Sequence, residues 1–317
     1  MYPDLTEVLA SLHVVRLPMR TRFRGIDYRE VALFEGPYGW GEFSPFLEYD
    51  AIESSEWLRA GLEAAFEAPI PLRREVIEIN ATLPAVDSVD EIEELLALYP
   101  GARTVKIKVT DDQERNLARI RKVQGIAPSI KIRIDVNGAW SVAQAVEFLE
   151  PIKDQIEYVE QPCATIEELR EVKRRVDVKI AADEVIRKSA DPFAIDLQGA
   201  ADLVILKVSP LGGIRRAMKI AAHHKLPTVI SSALESAVGI AHGLRLAAAL
   251  KSEPAASGLA TGVLFTEDVA RIPIESGRID IVQIPPIDRA SLERLAVESD
   301  RFTWWQNRLR ESFEVLL

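Results

Sequence analysis

Three acidic residues and a lysine recur at nearly equal intervals through the middle of the chain: Asp135, Glu160, Asp183 and Lys207 stand 25, 23 and 24 residues apart. Each interval is one strand plus one helix long, so in a repeating βα architecture all four side chains arrive at the same end of successive strands. Three carboxylates gathered in one partly dry mouth repel one another and must take up protons or bind a cation. Oxygen donors in that number, with room left for water, suit Mg2+, and Mn2+ shares the preference. Upstream, Lys106 and Lys108 are two residues apart, which on a strand puts both on one face. Ammonium beside ammonium lowers a lysine pKa, and with partial burial it poises one of the pair as a general base. A cation flanked by lysines is equipped to remove a proton α to a carboxylate and to neutralise the enediolate that forms.

The elements that must position these residues follow from periodicity. Short β-branched runs alternate with amphipathic stretches from about residue 75, the pattern of βα units around a parallel sheet. Strands are expected at Val76–Leu83, Thr104–Val109, Lys131–Val136, Ile156–Glu160, Val178–Asp183, Leu203–Val208, Pro227–Ser232 and Ala256–Thr261, and eight strands close a barrel. Ser141 with Gln144, and Thr165 with Glu168, are spaced as capping boxes. After the first box, Val142, Ala145, Val146 and Leu149 form one apolar face. Asp111 or Asp112 caps the preceding helix, which Gly125 is placed to end. The fold class is therefore α/β, a (β/α)8-type barrel over residues 75–290.

Residues 1–74 read differently: strands around Val14–Leu17 and Tyr28–Glu35, a turn at Gly36-Pro37-Tyr38-Gly39 and a helix near Ser54–Phe66 form a smaller α+β cap. The aromatic tail, residues 291–317, is expected to return to that cap. Met19–Gly25 and Pro45–Ala51 are placed to close over the barrel mouth. With 39 Lys+Arg against 49 Asp+Glu, the net charge of −10 argues against nucleic acid or an anionic membrane as partner. The lone cysteine, Cys163, allows no intrachain disulfide, which fits a reducing cytoplasm. No run of about 18 apolar residues spans a membrane. The expected partner is a small-molecule carboxylate, and a monomer is compatible with everything the sequence specifies.

Val105-Lys106-Ile107-Lys108, Arg133-Ile134-Asp135-Val136-Asn137, Glu160-Gln161-Pro162, Ala182-Asp183-Glu184 and Leu206-Lys207-Val208-Ser209 together resemble the lysine-base branch of the enolase superfamily. Phe23-Arg24-Gly25, Gly39-Trp40-Gly41-Glu42-Phe43-Ser44-Pro45-Phe46 and Pro210-Leu211-Gly212-Gly213-Ile214 extend the likeness to the o-succinylbenzoate synthase family in its short actinobacterial form. The resemblance implies the modified (β/α)7β barrel and a lyase of menaquinone biosynthesis. Such a lyase dehydrates 2-succinyl-6-hydroxy-2,4-cyclohexadiene-1-carboxylate to o-succinylbenzoate. It further implies that Lys108 removes the α proton and then, as conjugate acid, helps expel hydroxide. Lys207 would stabilise the enediolate, Lys106 assist, and Asp135, Glu160 and Asp183 hold the metal. Asn137, Ser231, Ser232, Gly262 and Arg133 would contribute to substrate binding, Ser231 and Ser232 meeting the succinyl carboxylate.

Each feature has a plainer reading. A Lys-x-Lys pair usually marks a solvated strand face, Asp183-Glu184 suits a helix N-terminus, and Ser232 with Glu235 equally fits a helix cap. Cys163 is expected to be a structural thiol, and His223-His224 is assigned no chemistry. Among functions, an N-succinylamino acid racemase or dipeptide epimerase would use Lys108 and Lys207 from opposite faces of Cα. A Schiff-base aldolase would use one lysine as nucleophile and leave the acids unexplained. A non-catalytic scaffold would leave all of them unexplained.

Overall fold

The computed structural model describes residues 3–252 and 254–317; Met1 and Tyr2 of the expected cap, and Glu253, lie outside the described residues. A helix, Leu5–Ala10, leads into an antiparallel sheet of β1 (His13–Phe23), β2 (Ile26–Gly36) and β3 (Gly39–Phe43). Both first strands outrun the expected Val14–Leu17 and Tyr28–Glu35. Their register shifts between Pro18 and Phe23, because Pro18 cannot donate to the ladder and the arm beyond it bends away. Met19–Gly25 is thus the tip of a hairpin arm, turning at Arg24 and Gly25 with φ of 52° and 79°.

Helix Ala51–Phe66 starts at Asp50, whose carboxylate accepts from the amide of Glu53 at 2.8 Å, and buries Trp57, Leu58 and Leu62 against the sheet. Strand and helix come within backbone contact: a Cβ on Gly61 would lie 2.6 Å from the carbonyl oxygen of Glu42. The C-terminal helix, Ser299–Leu316, packs on the same layer, with Trp305 edge-on to Phe43 at 5.9 Å. Buried Glu30 collects Trp305 Nε1 at 2.9 Å, Arg301 Nε at 2.6 Å and Arg16 Nη2 at 3.0 Å. Burial alone would raise that carboxyl, yet these donors hold it below its ordinary range.

The barrel follows. β4 (Val76–Glu78) pairs antiparallel with β12 (Arg278–Asp280), outside the ring. The ring itself is a seven-stranded parallel sheet of β5 (Ala81–Leu83), β6 (Thr104–Lys108), β7 (Lys131–Asp135), β8 (Tyr158–Glu160), β9 (Ile180–Ala182), β10 (Leu203–Leu206) and β11 (Thr228–Ile230), in sequence order. The single strand expected over Val76–Leu83 is therefore two. The eighth, expected at Ala256–Thr261, forms no ladder; single bridges join Ser257 to Ile79 and Gly258 to Ser231, closing the ring. A Cβ at Gly258 would fall 2.6 Å from Ser231 Oγ, so glycine permits the closure.

Period-two alternation divides the strands. Val105, Ile107, Ile132, Ile134, Val159, Ile180, Val204 and Ile230 belong to the large core under the helices, while Tyr158, Ala181, Leu203, Ile205 and Val229 form a separate plug inside the ring. The two capping boxes are formed at Ser141 and Thr165, each contributing about 1 kcal/mol to its helix. Asp112 caps Gln113–Ile126, which continues through Gly125 instead of ending there. Cap and barrel are also joined directly. Glu42 on β3 accepts from Ser44 Oγ at 2.6 Å, Ser236 Oγ at 2.5 Å and the amide of Gly239 at 2.9 Å, at the start of helix Ala237–Ala249. No helix among the described residues is long and apolar enough to cross a membrane.

Candidate active site

Strand register sets the site. Lys108 is the Cα partner of Asp135, and Asp135 of Glu160; Asp183 follows the end of β9 and Lys207 the end of β10. All share the inward parity, so they rim the plug at the C-terminal end of the ring. A cavity of about 440 Å3 opens there, lined by Lys106, Lys108, Asn137, Lys207, Ser231 and Ser232 from the barrel and by Phe23, Arg24 and Phe46 from the cap.

The carboxylates are buried and each is turned onto cations. Asp135 Oδ2 meets Lys106 Nζ at 3.0 Å and Lys108 Nζ at 2.5 Å. Glu160 takes Lys106 through both oxygens, at 3.0 and 2.9 Å. Asp183 gives Oδ2 to Lys207 at 2.5 Å and Oδ1 to Arg187 Nε at 3.1 Å. Burial opposes ionisation of Asp135, but Lys106 and Lys108 overcome it and hold that carboxyl far below its ordinary value. Burial, reinforced by the negative charge of Asp135, pushes Glu160 up to about 7. Lys106 stays strongly protonated, because Asp135 and Glu160 outweigh its burial. Lys108 is lowered, chiefly by burial and further by Lys106 and Lys207, with Asp135 opposing. Of the lysines on β6, Lys108 is therefore the one eased toward its neutral form.

Among the described residues, no three His, Cys, Asp or Glu side chains are gathered as a ready-made metal cage. The donor set nevertheless fits a divalent cation: three dry carboxylates on adjacent strands, all oxygen donors, one of them, Glu160, pushed toward protonation by burial and by the charge of Asp135. Ammonium groups occupy the positions a cation would compete for.

The remaining expected residues divide. Asn137, at φ 54°, accepts from Lys108 Nζ at 2.8 Å and donates to Glu184 at 3.0 Å, so it touches the lysine directly. Ser231 and Ser232 line the cavity, and Ser232 Oγ lies 2.6 Å from Thr261 Oγ1. The helix cap is Ser236, not the Ser232 and Glu235 pair; Glu235 instead accepts from Ser209 at 2.9 Å and the amide of Ala233 at 2.6 Å. Gly262 does not line this cavity, although its neighbour Thr261 does. Arg133 is a correction. Two residues deeper than Asp135, it lies beneath the site, stacked on Tyr158 at 4.8 Å and bonded to Glu157 at 2.6 Å, Asn80 at 3.0 Å and the carbonyl of Ala256 at 2.6 Å. Cys163 is buried, which pushes its thiol up to about 12 and leaves it inert at neutral pH.

Arg187, Thr82 and Thr261 line the cavity without having been singled out. For Arg187 a signal existed: it follows Asp183 by four residues, the spacing of an acid–base pair on a helix. Gln161, inside a quoted motif but given no role, has φ 41° and accepts the amide of Asp183 at 3.0 Å, fixing the backbone of that carboxylate.

The family described as Enolase C-terminal domain-like matches residues 87–285, and Enolase N-terminal domain-like matches residues 14–65. The o-succinylbenzoate synthase of Mycobacterium marinum is 49% identical, over 98% of this chain and 96% of its own. That of Mycobacterium tuberculosis is 47% identical, over 99% and 97%. Among solved structures, a muconate lactonizing enzyme from Pseudomonas fluorescens aligns with a TM-score of 0.78 over 90% of this chain and 98% of its own, at 19% identity. An N-succinyl Arg/Lys racemase from Bacillus cereus aligns with a TM-score of 0.75 over 90% and 97%, at 20% identity.

Proposed function

Because the chain belongs to the enolase superfamily, and within it to the o-succinylbenzoate synthase family, we propose that it is the lyase that dehydrates 2-succinyl-6-hydroxy-2,4-cyclohexadiene-1-carboxylate to o-succinylbenzoate. That reaction serves menaquinone biosynthesis. The observation that carries the reading is the pairing of three buried carboxylates with the three lysines that line one cavity, in a chain nearly half identical to proteins of that name.

Lys108 is suited to take the α proton, since burial lowers its pKa and Asn137 holds its ammonium from the side. Having taken the proton, it can return it to the departing hydroxyl on the same face. Lys207, which pairs with Asp183 while no metal is bound, offers a cation to the far side of the ring. Lys106, bound by Asp135 and Glu160, keeps the carboxylates in place and adds positive charge beneath the substrate. Asp135, Glu160 and Asp183 would hold Mg2+, with Mn2+ able to substitute. When bound, such a metal would supply positive charge at the substrate carboxylate. Ser231 and Ser232 are assigned to the succinyl carboxylate. Residues 1–74 with 291–317 act as a cap over a barrel of 75–290, a division supported by Trp305 on Phe43 and by the Glu30 cluster. We place the enzyme in the cytoplasm, consistent with a thiol kept buried and unpaired.

An ultraviolet assay with the cyclohexadiene substrate tests this. We expect Mg2+-dependent aromatisation, abolished by chelator, and a kcat lowered by about 10^3-fold in Lys108→Ala. Absence of turnover, with turnover instead of N-succinyl amino acids, would move the chain to the racemase reading, in which the same lysines face each other across Cα.

A further inference from the structure

One phenol joins the cap to the metal carboxylates. Tyr49 lies in the segment between β3 and helix Ala51–Phe66, with its ring edge-on to Phe46 at 5.7 Å and tilted against Trp57 at 6.3 Å. Its carbonyl oxygen accepts from Arg308 of the C-terminal helix at 2.8 Å, so the residue is held from behind. Its hydroxyl accepts from Arg24 Nη2 at 3.2 Å and stands 3.5 Å from Arg187 Nη1. Arg24 is the hairpin-turn residue at φ 52°, laid over Phe46 at 3.8 Å. Arg187 spends its other nitrogens on Asp183, at 3.1 Å, and Glu184, at 2.6 Å. The path from the turn over the cavity to Asp183 is thus continuous: Arg24, Tyr49, Arg187, Asp183.

We propose that Tyr49 is a positioning residue for Asp183, acting through Arg187, and that it fixes the Arg24 turn to the same carboxylate. The inference rests on the reading of Asp183 as a metal ligand. Arg187 takes one oxygen of Asp183 and leaves the other free to exchange Lys207 for a cation. A planar guanidinium bonded to two carboxylates is restricted further when its third side also has a partner, and Tyr49 is that partner. Coupling of this kind is reciprocal, so steadying the turn steadies the carboxylate and the reverse.

The test uses the full chain as wild type, Tyr49→Phe, Arg187→Lys and Asp183→Asn. Mg2+ binding is measured by calorimetry without substrate, trypsin cleavage after Arg24 is followed in parallel, and KM and kcat are determined at saturating Mg2+. In Tyr49→Phe the Mg2+ Kd should rise about threefold to tenfold, the size of one lost hydrogen bond. Cleavage after Arg24 should quicken, and KM should rise by more than kcat falls. Arg187→Lys, which keeps the charge and loses the fork, should weaken Mg2+ at least as much. Mg2+ affinity within twofold of wild type in both variants, with Asp183→Asn clearly weakened, overturns the relay alone. An Asp183→Asn protein that binds Mg2+ like wild type overturns the ligand assignment beneath it.

Discussion

Depth along a strand decides what an inward side chain does. Arg133 and Asp135 share a face of β7, yet Asp135 meets the lysines while Arg133, two residues lower, clamps β7 to Asn80 and to the carbonyl of Ala256 across the ring. Parity and relative depth are legible in sequence, but whether a residue two positions lower still reaches the cavity depends on where the plug of Tyr158, Ala181, Leu203, Ile205 and Val229 ends, and that requires the closed ring. Arg133→Met keeps the volume and strands two buried acceptors. We expect a loss of about 3–5 kcal/mol, seen as a lowered thermal midpoint, with KM of the folded enzyme unchanged. A raised KM at unchanged midpoint would return Arg133 to the substrate.

Elements were readable in proportion to how local their causes are. The capping boxes at Ser141 and Thr165 depend on residues three apart, and both are formed. Gly125 is not the stop because it does not take the left-handed conformation of a glycine cap; the helix ends one residue later, at Ile126, with the amide of Ala127 bonded to the carbonyl of Val123. The split of Val76–Leu83 into β4 and β5 depends on β12, and the reduction of Ala256–Thr261 to two bridges depends on Ile79 as well as on Ser231; β12 and Ile79 lie more than 150 residues from the segments they pair with, which no local pattern carries. The same holds for the site: carboxylates and lysines on strand ends were legible, whereas Arg187, on the short helix after Asp183, offered only its spacing from that acid, and Thr261, on a short helical turn, needed the folded chain to show what it faces. Close packing of elements makes its own prediction. Gly61→Ala would drive a Cβ against the carbonyl of Glu42 and should cost about 1–3 kcal/mol. Equilibrium unfolding in urea checks this, and a stability equal to wild type would mean that helix Ala51–Phe66 can back away from β3.

For the whole molecule, stability should peak in mildly acidic solution. Burial, with Glu235 nearby, raises Glu42 to about 7, and burial raises Asp268 to about 8. Both bind protons more tightly folded than unfolded, so their contribution is complete below the unfolded carboxyl range and declines as pH climbs through 7 and 8. His242 works oppositely: burial, then Arg245, lowers it to about 4. Its contribution is present above the unfolded histidine value of about 6.5 and is lost as pH falls toward 4. The thermal midpoint should therefore drop by several degrees between pH 6 and 9, about 2 °C or more per kcal/mol lost, and Asp268→Asn should flatten that limb. A midpoint that rises over this interval contradicts the assignment.

The joint at Ser257 and Gly258 gives the ring two unlike halves. From β5 to β11 each stave is tied to the next by a ladder, and this arc carries Lys106, Lys108, Asp135, Glu160, Asp183 and Lys207. Past it, single stitches hold the chain, and there hang Ser231, Ser232 and Thr261. On the proposed function, proton transfer falls to the stiff side of the hoop and substrate recognition to the loosely sewn side. Substitutions that reshape the grip on a substrate can accumulate along the seam without disturbing the machinery opposite, so one hoop can be refitted for new carboxylates while its chemistry stays the same.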